Sequence, residues 1–172
     1  MSVMLSVGAD GPPKHNFDMA HQACLDALIA EEALDAFDDT DVRDIAWHAP
    51  HGFAAWPDVR EGLAILRRNY IVASFSLLSY RLVIDTSRYN GLIWDAVLSC
   101  EGLGVYKLQP AAYERAAGLL QLEPAECLMV ACHPFDLDAA RRVGYRTALV
   151  RRHEEWGGRS AGTAMSARSR HL

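Results

Sequence analysis

The chain has 172 residues, 51% of them hydrophobic, 23% charged and 9% aromatic, which is the composition of a globular domain with a core rather than a disordered or fibrous chain. Its 17 basic and 22 acidic side chains leave a net charge of -5, without the basic surplus that a general nucleic-acid binder carries. No apolar run approaches the roughly 20 residues that span a bilayer, and Met1 to Val7 is short and lacks the basic lead of a secretory signal. A cytoplasmic protein, bound neither to membrane nor to nucleic acid, is expected.

Val3-Met4-Leu5-Ser6-Val7 precedes Gly8-Ala9-Asp10-Gly11-Pro12-Pro13, an apolar stretch and then a loop, which reads as a first buried strand. From Phe17 to Leu34 the spacing is helical, with Ala20, Cys24, Ala27 and Leu28 as the inner stripe. A short helix is predicted over Asp41–Trp47, and Ala49-Pro50-His51-Gly52 reads as a loop. Pro57-Asp58 opens a helix through Arg68, with Val59, Leu63 and Leu66 inward. Tyr70–Ser74 reads as a strand, and Leu77–Tyr89 as a helix closed by Asn90-Gly91. Ala96–Ser99 is a brief strand, Pro110–Leu120 a helix and Cys127–Cys132 an apolar strand. Leu137–Val143 is a helix ended by Gly144, and Thr147–Val150 is the last strand. Beyond Trp156 the chain turns to Gly, Ser, Ala and Arg, read as a disordered tail over 157–172.

Strands alternating with helices imply an α/β protein with a parallel, doubly wound sheet. In such sheets ligands sit beyond the carboxyl ends of the strands. That rule selects Gly8 to Asp10, Phe75-Ser76, the segment leading to Lys107, and His133 to Asp136. An ammonium, a hydroxyl, an imidazole and carboxylates at these ends suit an anionic substrate held by Lys107 and hydrogen-bonded by Ser76. Ser76 and Asp136 equally suit helix caps before Leu77 and Leu137, and Lys107 a solvated loop cation. Cys24, Cys100, Cys127 and Cys132 form no Cys-x-x-Cys pair and read as reduced core residues. Neither Cys132-His133 nor His48 with His51 has the spacing of a closed zinc site, so no metal is expected. His48, His51 and Arg151-Arg152-His153 read as solvated, and Trp47 and Trp56 as packing residues.

Several ordered motifs resemble a known family. They are Trp56-Pro57-Asp58-Val59, Phe75-Ser76, Trp94 to Ser99, Val105-Tyr106-Lys107, Tyr113, and Met129-Val130-Ala131-Cys132-His133-Pro134-Phe135-Asp136. In this order they resemble the haloacid dehalogenase (HAD) superfamily, in its type II 2-haloacid dehalogenase branch, over Trp47 to Trp156. The resemblance extends more weakly back to Phe17, which is similar to the second half of that branch's helical cap.

The resemblance implies a HAD-like Rossmannoid core with helices on both faces of the sheet and a shortened α-helical cap. The corresponding division is a first core strand and loop over 1–13, cap over 14–55, core over 56–156 and tail over 157–172. It also implies roles. Ser76 would bind the substrate carboxylate or stabilise charge on the nucleophile, Lys107 would pair with a nucleophilic carboxylate, Tyr113 would support that pair, and Asp136 would position the lysine or the hydrolytic water. Phe135 stands where the branch has a bulky aromatic, and would either line the pocket or belong to the core. The implied reaction is hydrolysis of a carbon–halogen bond in a small 2-haloacid, through an ester formed on an aspartate.

The first motif departs from the family's Phe-Asp-x-x-Gly-Thr. With Gly11 on the motif's glycine, Gly8 takes the nucleophile position and Pro12 the threonine position. Glycine forms no ester, and loss of a nucleophile can cost on the order of a million-fold in rate. The expectation is therefore a hydrolase of weak or absent turnover. Its alternatives are catalysis by Asp10 or by His133 as general base, and a non-catalytic carboxylate-binding or regulatory protein. No cofactor is implied, except magnesium if Asp10 and Asp136 act as in the superfamily's phosphatases. A homodimer is common in the branch.

Overall fold

A computed structural model describes residues 16–155. The strand expected at Val3–Val7, Gly8, Asp10 and the tail over 157–172 lie outside the described residues.

Helix α1 (Phe17–Glu31) begins where the Asn16 side chain accepts the Met19 N–H, satisfying one of the donors a helix start leaves without partner. Its inner stripe differs from the expected one by a residue. Ile29 is buried and Leu25 half-buried, whereas Cys24, Ala27 and Leu28 are exposed. Apolar residues occur on most sides of this helix, so periodicity alone does not select the inward face. After a 3₁₀ turn at Asp35–Phe37, α2 (Thr40–His48) is capped by Asp39, which accepts the Asp41 N–H. Residues Ala49–Gly52, expected as a loop, form a 3₁₀ turn packed on a later helix.

Helix α3 (Val59–Leu66) is followed by β1 (Ala73–Ser76), which pairs in parallel with β2 (Ala96–Ser99), Ala73 opposite Ala96 and Ser76 opposite Ser99. The strand expected at Tyr70–Ser74 thus starts later. Tyr70 and Ile71 are exposed, and Asp95 marks where pairing begins. Its carboxylate accepts the Val72 N–H at 2.9 Å, and its own N–H donates to the Val72 carbonyl at 2.8 Å. Arg67 adds contacts of 2.9 and 2.7 Å to the same carboxylate. Arg67 first, then the Val72 N–H, holds the Asp95 carboxyl below the usual carboxylate range. A depressed native pKa gives stability that is full above the unfolded value and is lost as pH falls through the native one. Asp95→Asn is therefore expected to weaken the fold at neutral pH and to flatten the acid limb of stability below about pH 4. Urea titrations at a series of pH values check this; an unchanged acid limb would contradict it.

Helix α4 (Tyr80–Asn90) connects β1 to β2. It starts later than the expected Leu77, because the buried Ser79 caps it by accepting the Leu82 N–H. Ser76 instead closes a local turn by accepting the Leu78 N–H. The helix stops at Gly91, whose φ of +64° is the left-handed conformation that glycine adopts without a Cβ penalty. The short α5 (Cys100–Leu103) follows β2 directly and has no counterpart in the sequence reading. Helix α6 (Pro110–Leu119) and a 3₁₀ turn (Pro124–Glu126) lead to β3 (Leu128–Ala131). Helix α7 (Pro134–Val143) starts three residues before the expected Leu137, since Pro134 supplies the fixed φ favoured at a first helical position. Strand β4 (Arg146–Leu149) pairs in parallel with β3, Leu128 opposite Arg146.

The parallel α/β architecture is as expected, but among the described residues it consists of two two-stranded sheets, β1–β2 and β3–β4, rather than one continuous sheet. The core joins both. Leu98 from β2 and Met129 from β3 meet Leu103, Val105, Tyr113, Leu137 and Tyr145. Ala112, Ala116 and Ala117 on α6 and Ala139 and Ala140 on α7 are buried, and side chains this small let the two helices approach closely. Of the four free cysteines only Cys100 is buried; Cys24 is exposed and the other two are intermediate, so the expected core role holds for one. Among the described residues no helix is long and apolar enough to cross a membrane.

Candidate active site

The carboxyl end of β1, the segment between α5 and α6, and the first turn of α7 converge. Lys107 Nζ lies 2.8 Å from Asp136 Oδ2, and the side chains are only 11% and 9% exposed. The Tyr113 hydroxyl donates to Asp136 Oδ1 at 2.6 Å. Lys107 Nζ also sits 4.5 Å from the centroid of the Phe75 ring, within cation–π range. Phe75 meets Tyr113 edge-on with centroids 5.4 Å apart. One ammonium is thus fixed by a carboxylate on one side and an aromatic face on the other.

Local backbone explains how Lys107 is held. Val105 and Tyr106 are buried and anchor the segment. Leu108 then has φ of +76°, a left-handed conformation uncommon for a bulky side chain. The same Tyr113 hydroxyl accepts the Leu108 N–H at 3.3 Å, tying the strained turn to the ion pair. The Tyr145 hydroxyl donates to the Tyr113 carbonyl at 2.7 Å and fixes that residue from behind. Burial, then the hydrogen bond to Asp136, raises the Tyr113 phenol above its ordinary value, so it remains a donor. Burial pushes the neighbouring Cys100 thiol up to about 11.

The other expected site residues distribute as follows. Ser76 follows Phe75 at the end of β1. Asp136 is in the first turn of α7, not its cap, and Lys107 is a paired and nearly buried cation rather than a solvated one. His133 is the residue preceding α7, and its Nε2 lies 2.8 Å from Glu155 Oε1. Phe135 is partly exposed and stacks on His133, centroids 5.2 Å apart and planes 10° off parallel. Asp10 is beyond the described residues.

Two readings of solvated residues are corrected, and one residue is added. His51 Nδ1 contacts Asp85 Oδ2 at 2.9 Å, and its Nε2 lies 3.8 Å from Asp18 Oδ1, so it bridges α1 and α4. Arg152 makes a two-pronged contact with Asp58, at 2.8 and 2.9 Å, and lies 5.1 Å from the centroid of a Trp56 ring. Glu155, which attracted no attention in the sequence, meets both His133 and Cys132. Burial, then Glu155, pushes the Cys132 thiol up to about 11. Cys132, His133 and Glu155 offer donor atoms all within 4.8 Å of one another, the geometry of residues able to hold a metal.

Two concavities, of about 360 and 270 Å³, are lined by residues of the first 85, among them Ile29, Asp35 and Arg43 in one and Asp18, Trp47, His51 and Asp85 in the other. Neither includes Lys107, Tyr113 or Asp136. The charged centre is therefore identified by its chemistry, not by the size of its cleft.

Parallel strands joined by helices, with a nearly buried lysine–aspartate pair beyond the strand ends, define an α/β protein with a charged centre where such folds place their sites. The haloacid dehalogenase-like hydrolase family model matches residues 14–144, and the chain belongs to that family. Over 114 residues it is 29% identical to (S)-2-haloacid dehalogenase 4A of Burkholderia cepacia, covering 64% of this chain and 49% of that one. Its structure is similar to that of the L-2-haloacid dehalogenase PA0810, with a TM-score of 0.81 and 34% identity over 87% of this chain and 64% of the other. The defluorinating L-2-haloacid dehalogenase Rha0230 matches with a TM-score of 0.79 and 29% identity, over 87% and 61%. The chain thus spans about half the length of the curated relative and under two thirds of each solved one.

Proposed function

We propose that this chain binds the carboxylate of a small 2-haloacid beside Lys107 and hydrolyses its carbon–halogen bond slowly, water replacing halide to give the 2-hydroxy acid, halide and a proton. The observation that carries this reading is the Lys107–Asp136 contact of 2.8 Å, supported by Tyr113 and capped by Phe75. An ammonium has three donors, and the Asp136 contact leaves others to a substrate anion. In a nearly buried site that attraction is worth more than in water. Ser76, at the adjoining strand end, supplies a hydroxyl to the same carboxylate. Positive charge comes from Lys107, so the reading requires no metal at this centre. Slow turnover follows from Gly8 at the position where the family has its aspartate. Asp10 or His133 then provides the attacking carboxylate or activates water. The free cysteines fit a reducing compartment, and we place the protein in the cytoplasm.

Halide release from 2-chloropropionate tests the proposal. Slow, saturable release that disappears in Lys107→Ala is expected. Loss in Asp10→Asn assigns the relocated nucleophile; loss in His133→Ala with Asp10→Asn active assigns direct attack by water. Saturable binding of 2-chloropropionate without halide release would replace hydrolysis with a carboxylate-binding role. Absence of both would end the proposal.

A further inference from the structure

We propose that Cys132, His133 and Glu155 form a binding site for a zinc-like divalent transition-metal ion, with a fourth position open to water. This goes beyond the haloacid reading and does not depend on it; a bound ion takes the His133 nitrogen, so with the site loaded Asp10 is the one that remains of the two groups that reading offers. Cys132-His133 in the sequence lacks the spacing of a metal motif because the third ligand comes from beyond β4. The fold closes that gap. Strand β3 delivers Cys132 and His133 to the start of α7, its parallel partner β4 runs to Leu149, and the chain beyond it turns back to present Glu155.

The distances suit a small tetrahedral ion. His133 Nε2 lies 3.8 Å from Cys132 Sγ and 2.8 Å from Glu155 Oε1. With zinc bonds of about 2.3 Å to sulfur and 2.0–2.1 Å to nitrogen or oxygen, tetrahedral angles separate S from N by about 3.5 Å and N from O by about 3.3 Å. Loading the site moves sulfur and nitrogen closer by a few tenths of an ångström and widens the imidazole–carboxylate contact by about half of one. Side-chain rotation suffices for both. The donor set also selects the ion. A thiolate with an imidazole favours zinc, cobalt or copper over magnesium or calcium, which take oxygen ligands.

The surroundings hold these ligands in place. Phe135 stacks on the His133 ring and limits its rotation. The turn carrying Glu155 is closed by the Glu155 N–H donating to the Arg152 carbonyl. Arg152 is in turn clamped by Asp58 and covered by Trp56. Such outer support is what orients metal ligands in proteins. The His133 and Glu155 side chains are 32% and 27% exposed, which leaves a path for the ion and space for a bound water. Three protein ligands plus an open position is the arrangement of zinc sites that activate water, rather than of closed structural ones.

The test is titration of the full chain, stripped with EDTA, with Co(II) and then Zn(II). One equivalent of cobalt is expected to produce a near-ultraviolet thiolate-to-cobalt absorption, which zinc abolishes. Cys132→Ser should remove the band, and His133→Gln and Glu155→Gln should each weaken binding by about tenfold or more. A chain that takes up no cobalt, or a band that persists in Cys132→Ser and so comes from another cysteine, would overturn the site. Should Cys132→Ser lose its native circular dichroism, the partly exposed Glu155→Gln decides: unchanged cobalt affinity in that variant also overturns it.

Discussion

Asp136→Ala is expected to destabilise the protein by about 3–5 kcal/mol, the usual result of breaking a buried ion pair by removing one partner. Asp136 holds two groups at once, the Lys107 ammonium at 2.8 Å and the Tyr113 hydroxyl at 2.6 Å. Its loss leaves a cation that is 11% exposed facing, among the described residues, the Phe75 ring, and a phenol whose remaining acceptor is the main-chain carbonyl of residue 136 at 3.5 Å. Cation–π attraction of about 0.5–2 kcal/mol does not offset the desolvation of an ammonium. Lys107→Met is expected to cost less, because Asp136 keeps the Tyr113 hydroxyl and an apolar chain against Phe75 and the core is tolerated. The double variant should be no worse than Asp136→Ala alone, since it contains no unpaired charge. Urea unfolding of the three variants measures this. Equal losses in both single variants would show that water reaches the pair and that burial is not what sets its strength.

Tyr113→Ala carries the second large effect. Tyr113 is 0% exposed and lies among the largest fully buried side chains. It packs edge-on against Phe75 at 5.4 Å and Tyr145 at 6.0 Å. Truncation removes an aromatic ring from the middle of the cluster that joins the two sheets, at a cost of about 3–5 kcal/mol. Native domains have about 5–15 kcal/mol in total, so a large part of the stability goes with one residue. Tyr113→Phe keeps the ring and deletes only the hydroxyl, leaving Asp136 one donor short and the Leu108 N–H without its acceptor. About 1–3 kcal/mol is expected there. The strained Leu108 turn should also loosen, so Tyr113→Phe should weaken carboxylate binding more than its stability loss implies. Melting temperatures for the two variants, with carboxylate binding for Tyr113→Phe, check the pair. Similar losses would assign the energy to the hydroxyl rather than to packing.

Much of the element order was legible, because turn and cap residues act locally. Pro110, Gly91 and Gly144 punctuate helices through their own backbone preferences, and the structure places them at the expected ends. Where the reading slipped, a partner distant in sequence had decided. Tyr70 and Ile71 have strand-like side chains, yet the strand begins after Val72, where Asp95 fastens the two chains together. Helix α4 starts at Tyr80 rather than Leu77, with Ser79 both capping it and donating to Asp18 at 2.6 Å. The inner stripe of α1 was set by what packs on it, not by its own periodicity.

The site divides in the same way. The strand-end rule gave Ser76, Lys107, His133 and Asp136, whereas Tyr113 and the missing aspartate at Gly8 came only with the resemblance to the family's motifs; strand ends and motif order are properties of the linear chain. Tertiary structure decided which of these meet. It closed Lys107 on Asp136 between Tyr113 and Phe75, turned His133 toward Cys132 and Glu155 instead, and made His51 and Arg152 structural partners rather than solvated groups. The physical reason is that these charges gain their strength from desolvation and from neighbours tens of residues away, and neither is written in local spacing.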